Sequence, residues 1–367
     1  MTSTFHGLET AKRGLVAQQT ALSVVGHNIA NANTLGYSRQ RVNQAADTAY
    51  PSPGLNHGQM PGQLGSGVKA ESIQRIRENY LDVQYRNESS KLGYYGTASD
   101  VMGKLEDVMN ELDDTGLANS IDTFWQSLQD LAVNSVDSGA KTVVRERGVA
   151  LAGTFQYLSE SLQRVRSDLE NELQVTVRDV NSLLEGIDNL NQQIAVVEPN
   201  GYLPNDLYDA RDNLIDELSE ILSIKVEYVS NGGLSSAQAA GTAVINFLNG
   251  TDQTVTLVDK DGFNTISLTQ NGEDSAVDTV TIGDTKLAAS DFASKGKLLA
   301  MMEGYGFVDT AGNVKGEVTD MLQELDHMAF IFATEFNKVH KAGLSVNELA
   351  HGDTETIFFA DEDGSSE

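Results

Sequence analysis

Three carboxylates, Asp209, Asp212 and Asp216, stand three and four positions apart, a spacing that places side chains on one face of a helix. Such a trio could hold a divalent cation. With Arg211 among them as a salt-bridge partner and an acidic chain around them, a solvated, ion-paired face is the better reading. Other candidates fail on spacing. His57 has no second histidine or carboxylate placed to share a metal. His327 and His340 lie too far apart along one helical stretch, and Glu335 to His340 is not an HExxH arrangement. In DKDG at 259–262, setting Gly262 sixth in a calcium loop would put Leu257 first and Leu268 twelfth, so that reading fails. Asn87-Glu-Ser89 and Asn249-Gly-Thr251 fit the glycosylation pattern, with no other support. No catalytic set, metal site or cofactor is expected.

One polar run, GHNIANANTLGYSRQR at 26–41, holds three closely spaced asparagines. A phosphate cradle would need more glycine than Gly26 and Gly36, and a metal site more than His27. Asparagine amides suit turns and helix ends, where they satisfy backbone groups left without partners.

Composition excludes several classes. Fifty-three acidic against 25 basic residues give a net charge of -28, which opposes binding to nucleic acid or anionic lipid. The absence of cysteine excludes disulfides, thiolate metal sites and cysteine nucleophiles. The start, MTSTFHGLETAKRGLVAQQ, does not read as a signal peptide, and no apolar run has membrane-helix length. At 367 residues the chain is expected to form more than one domain.

Residues 1–46 read as an amphipathic helix followed by the Asn-rich turn. Leu8, Ala11, Leu15, Leu22, Val25 and Ile29 form a seven-residue repeat broken only at Gln18. So narrow a stripe fits a coiled-coil partner better than a globular core, and the arm of residues 1–42 is expected to order only on assembly. Residues 47–89, rich in Pro and Gly at their start, read as an extended linker. Residues 90–224 read as the first part of a helical rod. Within it Ile121, Phe124, Trp125, Leu128 and Leu131 share a face, with Trp125 as packing anchor. From Phe155 to Val197 apolar positions recur in steps of three and four, predicting a helix about 65 Å long. After a turn at Pro199 to Pro204, Asn205 or Asp206 would cap a helix lined by Leu207, Leu214, Leu218 and Leu222; Leu214 and Leu218 join Trp125 as core positions. Short β-branched runs separated by NGG, NGT, KDG and NGED mark 225–288 as a β-rich insertion, facing outward and dispensable to the helices. Residues 289–345 read as the second part of the rod, helical from Ala289 to Lys341, and 346–367 as the start of a further segment. The predicted fold is mainly α, an elongated helical bundle with a small outward β domain.

NIANANTLGYSRQRV at 28–42, behind the apolar stripe, resembles the N-terminal signature of flagellar rod, hook and hook-associated proteins. Asn28, Asn31, Asn33, Thr34, Gly36 and Tyr37 match it, while Leu35 stands where proline is frequent. NDLYDARDNLIDELSEILSIKV at 205–226, FWQSLQDLAVNS, VVRER at 143–147 and EFNKVHKAGL at 335–344 are similar to the inner hook-associated proteins, which join hook to filament.

That resemblance implies a structural subunit rather than an enzyme, exported unfolded through the flagellar type III apparatus and located in the extracellular flagellum. It implies as partners the hook protein, the filament-side junction protein, further copies of the chain and an export chaperone. It also implies that the amides fix the turn by which the first helix leaves the rod, that Leu8, Leu15, Leu22, Val25 and Ile29 form the assembly interface, and that a second amphipathic helix near the C-terminus pairs with the first. None is apparent after Gly343. The alternatives are a hook or rod subunit, or a cytosolic coiled-coil scaffold.

Overall fold

The computed structural model describes residues 5–50, 62–109, 116–250, 254–271, 276–343 and 357–360. His57 and Thr251 lie outside them. The chain opens with helix α1 (His6–Ala30), which Asn31 ends by donating its backbone N–H to the His27 carbonyl. Strands β1 (Gln40–Ala46) and β2 (Val68–Arg75) pair antiparallel, with a bulge between Asn43 and Gln44. The expected linker at 47–89 is therefore structured in its second half: β2 falls inside it, and helix α2 (Asn79–Met109) starts before its end. Proline and glycine cluster only at the start of that stretch, and VKAESIQR carries ordinary strand residues.

Helix α3 (Leu117–Val133) leads into α4 (Ser138–Val197), whose 60 residues extend about 90 Å. Asp137 caps α4, its carboxylate accepting from the Gly139 N–H, which is why the helix begins well before Phe155. Trp125 is not the anchor of α3. It is 62% exposed, and Phe124 beside it is 2% exposed. Ile121, Phe124, Leu128 and Leu131 face the core; a residue one step from Phe124 is turned about 100° around the helix and falls off that face.

Pro199 lies in the turn after α4, and helix α5 (Asn205–Ile221) returns alongside it. Pro204 occupies the cap position, and neither Asn205 nor Asp206 caps. Leu218 is fully buried, while Leu214 is partly buried against the core.

Strands β3 (Ile224–Val229), β4 (Thr242–Leu248) and β5 (Thr254–Val258) form one antiparallel sheet. A second sheet contains β6 (Ile266–Asn271), β7 (Ala276–Ile282) and β8 (Thr285–Ala288). The fold is thus helical with a β insertion, but the insertion is not an appendage. Ala243, Ile245, Phe247, Val277 and Val280, each fully buried, continue the apolar cluster of Leu184, Ile187, Leu218 and Leu222. Two asparagines of α4 fasten the sheets. Asn191 donates to the Ala243 carbonyl and accepts from its N–H, and Asn181 does the same to Ile266.

The helix expected from Ala289 to Lys341 is interrupted. Helix α6 (Lys297–Tyr305) gives way to β9 (Phe307–Val308) and β10 (Val314–Lys315), which extend the second sheet, before α7 (Glu317–Lys341). Gly306 at φ 130° and Gly316 at φ 151° make the break. A Cβ on Gly316 would sit 2.6 Å from the Gly306 Cα, so the two backbones can cross only as glycines.

Candidate functional site

Helix α1 has two seams. Leu8, Leu15, Leu22, Val25 and Ile29 are each between 50% and 72% exposed. The opposite seam, Thr10, Arg13, Ala17, Ala21 and Val24, lies on the β1–β2 hairpin, with Ala17 and Val24 buried. Arg13 forms an ion pair with Asp47 and donates to the Ser66 carbonyl at 3.3 Å. The helix is therefore already folded against its own chain, contrary to the expectation of an arm that orders only on assembly. The inward seam uses small and polar side chains, which a search for apolar residues passes over.

The Asn-rich turn closes on itself. Asn28 donates to the Gln40 carbonyl and accepts from both the Gln40 N–H and the Tyr37 hydroxyl, at 2.8–2.9 Å. Asn31 donates to the His27 carbonyl at 3.0 Å and accepts from the Thr34 hydroxyl at 3.2 Å. Gly36 has φ 73°, and a Cβ there would strike the Asn213 side chain; that side chain donates to the Leu35 carbonyl. Asn33 is exposed. Burial, then the charges of Asp206 and Asp209, raise the Tyr37 pKa above its ordinary value.

The turn and hairpin are held by the acidic trio. Asp209 accepts from the Ser38 N–H at 3.1 Å and from Arg75 at 2.8 Å, and Asp212 accepts from Arg75 at 2.8 Å. Asp216 receives Arg86 at 2.7 Å and Arg77 at 3.3 Å, and Arg77 also reaches Asp82 at 2.7 Å. Tyr228 donates its hydroxyl to Asp212 at 3.0 Å. The solvated-face reading is wrong for Asp209 and Asp212, which are 6% and 1% exposed. Arg211 is not their ion-pair partner; fully buried, it donates to Asn191 and to the Gly241 carbonyl. Burial alone would raise the Asp212 pKa, but the guanidinium groups of Arg75 and Arg77 overcome it and hold the carboxyl below its usual range. For Arg211 burial prevails and lowers the pKa. These carboxylates are thus engaged by cations of the protein, and among the described residues no group of three or more ligating side chains could hold a metal ion.

Residues Gln40, Arg75, Arg77 and Arg86 escaped sequence reasoning because their partners on α5 are more than 120 positions away. One signal was available: Arg75-Ile-Arg77 continues a strand pattern that sets both arginines on one side. Asn205 also serves this site, donating to the Ile73 carbonyl, while Asp206 accepts from the Gln40 amide.

The first helix and its asparagine turn are thus riveted through β2 and α2 to α5 of the long helical body. Residues 102–359 match the family model described as the flagellar hook-associated protein FlgK helical domain, and residues 8–37 match that of the flagella basal body rod protein. The chain belongs to the FlgK family of flagellar hook-associated proteins. It is 46% identical over 356 residues to flagellar hook-associated protein 1 of Bacillus subtilis, covering 96% of this chain and 70% of that relative. With flagellar hook-associated protein 1 of Salmonella typhimurium it shares 28% identity over 342 residues, covering 91% of this chain and 56% of the relative. The solved structure of the flagellar hook junction protein FlgK from Burkholderia pseudomallei aligns with a TM-score of 0.47 at 20% identity, over 61% of this chain and 38% of that one.

Proposed function

We propose that this chain is a structural subunit that forms the junction between flagellar hook and filament, assembling after type III export as an unfolded chain. The exposed stripe of Leu8, Leu15, Leu22, Val25 and Ile29 carries this reading. Five large apolar side chains stay in water although the same helix packs its other seam, and each would contribute about 1.5–3 kcal/mol on burial. A surface of that kind is built for a helical partner. Its partners are further copies of the chain and the neighbouring hook protein and filament-side junction protein, with a chaperone holding the chain before export. The role is mechanical rather than catalytic: the ionic cluster joins arm to body.

Immunogold electron microscopy of intact flagella tests the reading. Label confined to a band between hook and filament is expected. Label along the hook or rod would favour a hook or rod subunit, and label retained in the cytosol would favour an internal scaffold.

A further inference from the structure

The arm, residues 5–50 and 62–75, holds together through its own contacts. Ala17 and Val24 of α1 are buried on the hairpin, Arg13 pairs with Asp47, and Asn28 closes the turn onto β1. Its junction with the body is of another kind. Among the described residues, none of the arm belongs to the apolar core, which begins in sequence at Val101. Instead Ser38 donates its N–H to Asp209 and Gln40 its amide to Asp206, both at 3.1 Å, and Arg75 reaches Asp209 and Asp212 at 2.8 Å. From the other side Asn205 donates to the Ile73 carbonyl at 2.8 Å and Asn213 to the Leu35 carbonyl at 3.3 Å. All these links end on one helix, α5. Beside them the two parts do not close up. An open cleft of about 430 Å³ lies between Gln40 and Ile73 of the arm and Pro204 and Leu207 of the body. A second, of about 350 Å³, lies between Ala70 and Ser72 and the turn at Tyr202 and Leu203. A packed interior leaves few voids larger than a water molecule.

Residues 76–78, in no regular element, lead from β2 into α2. Ile76 is bonded to the arm, its N–H donating to the Arg39 carbonyl at 2.8 Å. Arg77 is bonded to the body, donating to Asp82 and Asp216. A bend therefore falls between these two neighbours, and hinges are commonly a few residues at the end of an element. We propose that the arm pivots as a rigid unit about the link from Ile76 to Arg77, and that Asn205, Asp206, Asp209 and Asn213 are the latch holding it at one angle to the body. A polar junction suits a latch, because water can take over its hydrogen bonds and opening it uncovers none of the apolar core. The body keeps its own ion pairs when the latch opens: Asp216 holds Arg77 and Arg86, and Asp212 lies 3.6 and 3.7 Å from the same two arginines. A swing redirects the exposed stripe from Leu8 to Ile29 and leaves the packing of the body unchanged. It is a property of the isolated chain and independent of the flagellar reading.

The chain has no cysteine, so spin labels can be placed in pairs without background. In the full chain, labels at Lys12→Cys and Gln193→Cys report arm against body, and labels at Lys12→Cys and Arg41→Cys report the arm alone; all three positions are exposed. Double electron–electron resonance should give one narrow distance for each pair. Combining Asp206→Ala, Asp209→Ala and Asn213→Ala should at least double the width of the arm–body distribution and leave the distance within the arm unchanged. Circular dichroism checks folding. If the triple variant loses helix, Asp206→Ala with Asn213→Ala, neither side chain being buried, takes its place with the same expectation. An arm–body distance that stays narrow in the variant would overturn the proposal. So would one that is broad without the substitutions, or a distance within the arm that broadens alongside it.

Discussion

Arg75 and Asp212 meet at 2.8 Å across 137 positions of sequence, one at the end of β2 and the other within α5. The contact joins the segment that carries α1 to the helical body, with the carboxylate 1% exposed. A buried pair of this kind adds little over a well-packed apolar substitute, but removing one partner strands the other charge.

Asp212→Asn should therefore lower stability by about 3–5 kcal/mol, read from the urea midpoint. A loss under about 1 kcal/mol, typical of an exposed pair, would show that water reaches the cluster.

Acid should act through the same residue. The folded pKa of Asp212 lies below its ordinary value near 3.8, so the native state binds fewer protons than the unfolded state. Its contribution is complete above that value and is lost as pH falls through the folded pKa. Urea titrations from pH 6 to pH 2 should show the wild type losing its advantage over Asp212→Asn only below about pH 4. A constant difference down to pH 2 would remove Asp212 as the titrating group.

Replacing Leu15 and Leu22 by Asp should change the stability of the isolated chain by no more than about 0.5 kcal/mol and block incorporation into flagella. Ala17→Asp, on the inward seam, should destabilise and loosen α1 from the hairpin, detected as faster proteolysis near Arg39 and Arg41. Equal stability loss from both substitutions would mean that the two seams are not distinct.

Phe124→Ala should cost about 3–5 kcal/mol, while Trp125→Ala should remain within about 0.5 kcal/mol. Thermal unfolding of the two variants decides the matter, and the reverse order would place the tryptophan in the core.

Replacing residues 225–288 by a Gly-Ser linker should abolish cooperative unfolding of the helices, because Leu184, Ile187 and Leu222 share their cluster with the strands. A helical circular dichroism signal that melts as before would make the insertion an independent unit.

Sequence periodicity reached the helices and the strands between Ile224 and Ala288, since repeats of three and four and β-branched runs are local patterns. It misjudged what those elements do for one another. Asp209, Asp212 and Asp216 read as a solvated face because Arg75, Arg77 and Arg86 come from distant sequence. Trp125 was favoured for its size, although its angular position beside Phe124 turns it outward. Gly306 and Gly316, which break the expected helix, carry no side chain for a periodicity to register. The outward stripe of α1 was visible for its leucines. Its inward seam was invisible for want of them.

Asn28, Asn181, Asn191 and Asn337 each hold another segment by donating to a backbone carbonyl and accepting from a backbone N–H. A grip on the main chain is indifferent to the side chain at the gripped position. For the two sheets this separates anchorage from identity: outward positions of β4 and β6 can diverge between relatives while Asn191 and Asn181 still register the strands on α4. The insertion can thus vary its surface chemistry over evolutionary time without renegotiating its attachment to the rod.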